Sequence, residues 1–327
     1  MKKFSVLTLS TLALAAASVG SAQAETIIGL ITKTESNAYF VKMKEGAQAA
    51  ADKAGVKLLT ATGKQDGDTA SQITALENFT AAGAKKILIT YSGDAVIPTI
   101  KKVRAQGVQV IALDSPVEGA DALFATDNYK AGVLVGEYAK AVLKGKKPVI
   151  ATLDLFPGHP VGAQRHNGFL QGFGLKSLDA KSNELAQPAE VACMADSFGD
   201  VAKGQTAMEN CLQKNSAINV VYTINEPAAA GAAKALKAAG KDKDVLVVSV
   251  DGSCGNGVGN IKSGAIAATS MQFPLKMAAM GVEAGVKYAK DGKRQTGYTD
   301  TGAELITDKA AGGLKSIDTA KASGLCF

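Results

Sequence analysis

The residues that metal sites and catalytic sites need are scarce in this sequence. Its 327 residues include only two histidines, His159 and His166, seven positions apart and without other metal ligands clustered around them. The chain has no G-x-x-x-x-G-K-[ST] phosphate loop, no G-x-S-x-G nucleophile motif and no H-E-x-x-H zinc motif. We therefore expect no metal ion and no other cofactor, and we expect that the protein is not an enzyme.

Blocks of like charge and long apolar segments are also missing beyond the first 25 residues. No later stretch is apolar enough over a sufficient length to span a bilayer. Without Lys2 and Lys3, 34 basic side chains face 30 acidic ones, a net charge of +4, and these charges are scattered along the chain. Because nucleic-acid binding needs a concentrated basic surface, we expect no nucleic-acid partner.

The first 24 residues have the pattern of a secretory signal peptide. Lys2 and Lys3 precede the apolar run Phe4–Val19, and Ala22-Gln23-Ala24 forms a small-residue cleavage motif. The apolar run is short for a membrane anchor and leads directly into that motif. The sequence therefore predicts cleavage after Ala24 and export of the mature chain.

Four cysteines in an exported chain predict two disulfides, because thiols tend to pair in oxidising compartments. Four cysteines allow three connectivities. We favour pairing of the nearest neighbours in the sequence, Cys193 with Cys211, which leaves Cys254 with Cys326.

Apolar, β-rich runs alternate with alanine-rich amphipathic stretches, and this series occurs twice. Such alternation indicates parallel sheets, because each parallel return requires a crossover helix. The predicted strands are Ile27–Ile31, Val56–Thr60, Lys86–Thr90 and Val108–Leu113, then Pro148–Leu153, Ser182–Ala186, Asn219–Thr223 and Val245–Val250, and a short strand near Glu304–Thr307. We predict an α/β protein with two doubly wound parallel-sheet lobes.

A strong helical segment late in the chain suggests that the chain crosses between the lobes more than once. No flexible linker separates the two series, so the crossings should be short and hinge-like. The predicted crossings are Thr126–Asn128, Met271–Phe273 and Asp300–Gly302. The predicted lobes are residues 25–127 with 273–301, and residues 128–272 with 302–327.

A glycine-rich loop, "GSCGNGVGN", follows Asp251 at the end of a predicted strand. Gly255, Gly257 and Gly259 have the spacing G-x-G-x-G, which differs from the G-x-G-x-x-G of dinucleotide-binding loops. No acidic residue follows at the distance needed to hold a ribose, and the Asp251 carboxylate would repel a pyrophosphate. We interpret the loop as a turn that leaves Asp251 at the edge of the sheet.

Polar and aromatic residues follow the predicted strands, at the sheet edge where open parallel sheets bind ligands. A sugar needs carboxylates and amides around its hydroxyls and aromatic rings against its C–H faces. The polar candidates are Asn37, Asp114, Arg165, Asn225, Asp251 and Gln272; the aromatic candidates are Tyr39, Phe40 and Phe198. The alternative is that the Asp and Asn residues cap helices and that the rings belong to the core.

Several segments together resemble the periplasmic sugar-binding proteins of ABC importers of the ribose-binding type. They are "SNAYFVKMKEGAQAAADKAG", "VIPTIKKVRAQGVQVIALDSP", "TINEPAAAGAAKALKAAGKDKDVLVVSVDG" and "GAIAATSMQFP", and the resemblance extends from Glu25 to Lys309. Within this type, "GLITKT", "DGDTASQI", "TINEPAAAGA" and "SVDGSC" are most similar to the fructose-binding branch.

The resemblance implies a type I periplasmic binding protein whose lobes are joined by a three-strand hinge. It implies a monomer that binds one monosaccharide, fructose first among the candidates, and delivers it to an inner-membrane permease with its ATPase. A chemoreceptor is a further candidate partner. By position, Asn37, Tyr39, Phe40 and Asp114 would face the sugar from the first lobe, and Arg165, Asn225, Asp251 and Gln272 from the second.

The sequence departs from the ribose-binding pattern at Ser115, where ribose binders carry an arginine after the aspartate of the first lobe. The loss of that bidentate donor argues against a ribopyranose ligand. Lys33 is a candidate replacement, although a solvated loop lysine is the alternative interpretation. Phe198 aligns with the aromatic residue of the second lobe only after a shift of one residue. Alternative functions are a sugar-modifying exported enzyme and a chemotaxis or sensor-kinase sugar receptor.

Overall fold

The computed structural model describes residues 25–327, so the predicted signal peptide, residues 1–24, lies outside the described residues. Two six-stranded sheets carry helices on both faces. The strands are β1 (Ile27–Thr32), β2 (Lys57–Thr62), β3 (Lys86–Thr90), β4 (Gln109–Leu113), β5 (Ala122–Ala125), β6 (Ile150–Asp154), β7 (Val191–Asp196), β8 (Val220–Thr223), β9 (Leu246–Asp251), β10 (Ala268–Met271), β11 (Gly297–Asp300) and β12 (Glu304–Ile306).

The helices follow most strands, as parallel topology requires. They are α1 (Ala38–Ala54), α2 (Thr69–Ala81), α3 (Ile97–Ala105), α4 (Asn128–Leu143), α5 (Pro160–Phe173), α6 (Val201–Lys214), α7 (Glu226–Ala238), α8 (Asn260–Ser263), α9 (Pro274–Asp291) and α10 (Thr319–Ala322). Between residues 25 and 327, none of these helices has the length and hydropathy that a membrane span requires.

The two sheets have related strand orders. The first sheet is β11-β5-β4-β3-β1-β2, and all of its paired strands run parallel. The second is β12-β10-β9-β8-β6-β7, in which β12 pairs antiparallel with β10. The chain passes between the sheets three times, after β5, after β10 and between β11 and β12. The predicted class, two doubly wound lobes joined by three strands, is confirmed.

Local sequence explains how α1 forms against the first sheet. The side chain of Asn37 accepts a hydrogen bond from the backbone N–H of Tyr39 at 3.0 Å, which caps the first turn. Phe40, Met43 and Ala47 are buried on the face that packs on the sheet. Gly55 ends the helix with a left-handed backbone, φ 64°, and its N–H bonds the last turn. The cap also fixes Asn37 and Tyr39 at the end of the loop after β1.

The predicted strand Ser182–Ala186 is wrong. The second-lobe strand at this place is β7, which begins at Val191. Side chains of α5 bond the backbone of the predicted segment: Asn167 Nδ2 donates to the Glu184 carbonyl at 2.8 Å, and the Ala186 N–H donates to Asn167 Oδ1 at 3.0 Å. Because these backbone groups are already bonded to α5, the segment runs as a loop over that helix. The four-residue strands β5, β10 and β11 were not predicted as strands.

Both predicted disulfides are present. Cys193 is bonded to Cys211, with 5.5 Å between Cα atoms, and Cys254 is bonded to Cys326, with 5.0 Å between Cα atoms. The first bridge lies within the core of the second lobe. The second ties the loop after Asp251 to a segment 72 positions further along the chain.

Glycines allow α4 and α5 to pack unusually closely. A β-carbon on Gly132 would lie 2.2 Å from the Arg165 carbonyl oxygen, and one on Gly168 would lie 2.1 Å from the Tyr129 carbonyl oxygen. Contacts this short exclude any side chain, so the two backbones approach as closely as the glycines permit. The position of α5, and therefore that of Arg165 on it, depends on this contact.

We predict that Gly168→Ala lowers the stability of the protein by about 1–3 kcal/mol, because the added methyl group forces α5 away from α4. Thermal denaturation followed by circular dichroism measures the effect. The matched control is Gly255→Ala, since a β-carbon there meets no heavy atom within 4 Å and the backbone is not left-handed. Equal melting temperatures for the two variants would contradict the packing argument.

Candidate functional site

A cavity between the two lobes collects nine of the ten residues predicted for the site. About 390 Å³ between the lining residues is free of protein atoms, a figure that includes open solvent at the mouth, and a water-sized sphere can be centred in about 40 Å³ of it. Its lining residues are Lys33, Asn37, Tyr39, Phe40, Asp66, Asp114, Leu155, Val161, Arg165, Ile224, Asn225, Asp251 and Gln272. Both lobes contribute, so a ligand here would touch both.

Tyr39 and Asp114 form the centre of the first-lobe wall. The Tyr39 hydroxyl donates to Asp114 Oδ1 at 2.9 Å, and the Ser115 hydroxyl donates to Asp114 Oδ2 at 2.9 Å. Asp114 has a left-handed backbone, φ 66°, directly after β4. This backbone conformation is unusual for residues other than glycine, and such conformations concentrate at functional sites.

Arg165 is the most constrained residue of the second-lobe wall. Its Nε donates to Asn128 Oδ1 at 2.8 Å, and its Nη1 donates to the Ile224 carbonyl at 2.9 Å. The same Nη1 lies 3.5 Å from Asp251 Oδ1, and both side chains are buried. Gln272 Nε2 donates to Asp251 Oδ1 at 2.8 Å. Arg165, Asp251 and Gln272 therefore form one connected polar group.

Asn37 and Asn225 fit both interpretations offered for strand-end residues. Each caps the helix that follows: Asn225 Oδ1 accepts from the Ala228 N–H at 3.1 Å, as Asn37 does from Tyr39. Each also lines the cavity with the rest of its side chain. Because the oxygen bonds the helix, only the amide NH₂ of each residue can donate to other partners, and that of Asn225 donates to the Gly199 carbonyl at 3.2 Å.

Lys33 is buried, which excludes the interpretation of a solvated loop lysine. Only 3% of its surface is exposed. Its Nζ lies 3.8 Å from an oxygen of Asp66, 3.4 Å from His159 Nε2 and 5.8 Å from the centre of the Phe40 ring. His159 belongs to the second lobe, so this lysine contacts both lobes. The cavity thus has one cation on each side, Lys33 and Arg165.

Phe198 lies outside the cavity. It follows β7 and is 41% exposed. Its ring stacks on that of Phe156, with 6.0 Å between the ring centres, and Lys203 Nζ lies 4.0 Å from the centre of the Phe198 ring. Phe198 lines a neighbouring cleft that shares Asn37, Phe40, Asp66 and Asn225 with the cavity. The backbone of Phe198 is left-handed, φ 54°, and its ring lies in this neighbouring cleft.

Burial shifts the ionisation of the acids and bases around the cavity. Burial raises the pKa of Asp251 to about 6, with Arg165 opposing the shift and Asp114 adding to it. Burial and the positive charge of Lys33 hold the pKa of His159 well below its usual value, so the imidazole is neutral. Burial also raises the pKa of Asp66, against the attraction of Lys33. Burial thus brings the pKa of Asp251 close to neutrality.

The glycine-rich loop after Asp251 bonds an internal carboxylate. The backbone N–H groups of Gly252 and Ser253 donate to Glu226 at 2.6 and 2.9 Å, and the Thr269 hydroxyl donates at 2.8 Å. The Ser253 hydroxyl bonds the same carboxylate. Glu226 therefore occupies the free amides of Gly252 and Ser253, the turn after Asp251, and the three glycines expected in a turn lie instead in a π-helical segment, Cys254–Gly259, that leads into α8.

Sequence reasoning missed four residues that line the cavity: Asp66, Leu155, Val161 and Ile224. Leu155 and Ile224 directly follow β6 and β8, so their position at strand ends was a usable signal. Asp66 lies in a loop before α2, and nothing in its spacing marks it. Among residues 25–327, no group of three or more potential ligands could hold a metal ion.

Comparisons with known proteins identify the family of the chain. The profile of the periplasmic binding protein domain family matches residues 28–294. The chain belongs to the periplasmic binding protein family. It is 34% identical over 303 residues to the ribose import binding protein of Salmonella typhimurium, covering 91% of this chain and 96% of that one.

Solved structures of the same family have the same fold. A carbohydrate transporter solute-binding protein from Agrobacterium radiobacter, in complex with D-arabinose, has a TM-score of 0.78 and 25% identity, over 93% of this chain and 100% of its own. The periplasmic component of an ABC-type sugar transport system from Hahella chejuensis has a TM-score of 0.75 and 27% identity, over 85% and 99% of the two chains. These relatives of our binding protein are transport components, not enzymes.

We predict that ligand affinity falls as the pH falls through about 6, because protonation removes the negative charge with which Asp251 would accept hydrogen bonds from ligand hydroxyls. Linkage to one proton limits the loss to about tenfold per pH unit below the pKa. Calorimetry between pH 5 and 7.5 measures it, and Asp251→Asn, which cannot titrate, should bind weakly with a flat profile. A wild-type affinity that is constant over this range would contradict the assignment.

Proposed function

We propose that this protein is an exported receptor that captures one monosaccharide between its lobes and delivers it to the permease of an ABC importer. The observation that carries the proposal is the cavity itself, where carboxylates, amides, two cations and two aromatic rings from both lobes surround a small volume. Carboxylates and amides match hydroxyl groups that both donate and accept, and rings match C–H faces. A relative named for ribose import and a similar structure solved in complex with D-arabinose support the ligand class.

Within this class we propose fructose as the first candidate. The support is the fructose-binding resemblance of "GLITKT" and "SVDGSC", together with Ser115. Ser115 is buried and bonds Asp114, so this position adds no cation to the cavity. The first-lobe cation is instead Lys33, which approaches from the end of β1. Because Lys33 approaches the cavity from a different position than the arginine of ribose binders, we expect a sugar whose hydroxyls are arranged differently from those of ribose.

We also propose the lobe boundaries as units of motion: residues 25–127 with 273–301, and residues 128–272 with 302–327. A ligand that contacts both lobes binds the closed state better than the open one, and that difference drives closure. The three crossings would absorb the rotation while each sheet stays rigid. The receptor acts as a monomer, and the closed surface of both lobes is what a permease or a chemoreceptor would recognise.

The test of the ligand is a thermal-shift screen against fructose, ribose, allose, arabinose, mannose, glucose, galactose and inositol. A ligand that binds only the folded state raises the melting temperature, and its stabilisation grows with the logarithm of one plus the ratio of ligand concentration to Kd. We expect the largest shift with fructose. We expect Arg165→Ala to lose it, since a binding loss of about 2–4 kcal/mol follows when Asp251 stays buried without its cation.

The outcomes of the screen separate the two levels of the proposal. A larger shift with another sugar would overturn fructose alone. If no sugar shifts the melting temperature, or if the protein turns over any of them, the proposal of a sugar receptor is overturned. Gly255→Ala is the matched control, because it changes the loop after Asp251 without touching the cavity.

The test of closure is small-angle scattering with and without the sugar that binds. We expect the radius of gyration to fall on binding, because the lobes close over the ligand. Arg165→Ala at the same sugar concentration should show no change, which separates closure from any effect of the added solute. An unchanged interlobe distance distribution for the wild type would contradict the hinge while leaving sugar binding intact.

A further inference from the structure

Cys326 and Phe327 are adjacent in the chain but pack in different lobes. Cys326 packs against the core of the second lobe and is bonded to Cys254. Phe327 is 6% exposed and belongs to the core of the first lobe, where it packs on Tyr39. This segment therefore joins the lobes at a place apart from the three chain crossings.

The Phe327 ring packs on a residue of the candidate sugar site. Its centre lies 5.4 Å from that of Tyr39 in an edge-to-face arrangement, with 76° between the planes. Tyr39 packs edge-to-face on Phe40 from another side, at 5.3 Å and 88°. Phe327 and Phe40 thus confine the ring of Tyr39, whose hydroxyl orients Asp114.

The same residue is bonded to the second-lobe wall. The backbone N–H of Cys254 donates to the carbonyl oxygen of Phe327 at 2.8 Å, next to the disulfide between Cys254 and Cys326. Cys254 lies three positions after Asp251, in the loop that Glu226 holds. A continuous set of contacts therefore runs from Asp251 to Tyr39 through Phe327.

We propose that Phe327 is a positioning residue that couples the two halves of the sugar site, with the Cys254–Cys326 disulfide as its anchor. The proposal rests on the proposed function and adds a residue outside the cavity lining to it. Phe327 acts in two ways: it holds Tyr39, and with it Asp114, in place, and it adds an apolar contact between the lobes in the closed state. The loss of a contact made in the closed state lowers the closed fraction and with it the apparent affinity.

An ordinary core phenylalanine would affect stability only. Phe173 offers the comparison, because it is also 6% exposed and lies in the core of the second lobe, at the end of α5 and outside the cavity. We expect Phe327→Ala to weaken sugar binding at least about fivefold, the lower end of typical coupling between sites. Phe327→Leu should recover part of the affinity, and Phe173→Ala should melt earlier but bind as the wild type does.

The anchor is tested with paired cysteine variants. Cys254→Ala with Cys326→Ala should weaken binding, whereas the control pair Cys193→Ala with Cys211→Ala should not, since that bridge lies in the second-lobe core. Adding Phe327→Ala to the first pair should cause little further loss, because the ring and its anchor act as one unit. Additive losses, or equal affinities for Phe327→Ala and Phe173→Ala, would overturn the coupling.

Hydrogen exchange without sugar separates failure of this proposal from failure of the proposed function. Phe327→Ala should accelerate exchange in two segments at once, the first turn of α1 and the loop Gly252–Gly257, because the residue joins them. Phe173→Ala should accelerate neither. If the wild type binds no sugar, the proposed function fails and exchange still decides the coupling. Unchanged exchange in both segments would overturn it.

Discussion

The arrangement of the cavity depends on one buried guanidinium. A buried cation is costly unless every donor finds a partner, and Arg165 finds its partners on three different elements. They are Asn128 at the start of α4, the Ile224 carbonyl after β8 and Asp251 at the end of β9. The ends of three elements therefore have to meet at one point. The glycine contact between α4 and α5 brings the arginine close enough for this to happen.

The same group lies beside the points where the chain changes lobe. Asn128 begins α4 directly after the first crossing, and Gln272, which bonds Asp251, lies in the second. A ligand that bonds Asp251 or Arg165 therefore changes contacts of residues at the crossings as well as those of the wall. On the proposed hinge mechanism, occupancy of the cavity and the relative position of the lobes would share these hydrogen bonds.

Strand-end position predicted much of this from sequence, because parallel topology brings the carboxyl ends of all strands to one edge. Asp114, Asn225 and Asp251 were found in this way. Long-range packing decided what was missed. The segment Ser182–Ala186 contains no β-branched or aromatic residue, and Asn167 bonds its backbone in a loop, which no local pattern reveals. Phe327 was missed for the same reason, since its partner Tyr39 lies almost the whole chain away.

Two buried carboxylates with raised pKa values, Asp251 at about 6 and Glu226 at about 8, resemble at first the acid and base pair of an enzyme. Their surroundings argue otherwise. Burial and the charge of Asp251 raise the pKa of Glu226, but its oxygens bond the amides of Gly252 and Ser253 and do not line the cavity. Because Glu226 is bonded to the loop backbone and does not face the cavity, it has no route for exchanging a proton with a ligand. The raised pKa of Glu226 therefore follows from its burial under the loop that it holds. Asp251 is the member of the pair that lines the cavity, where its oxygens are placed to bind a ligand.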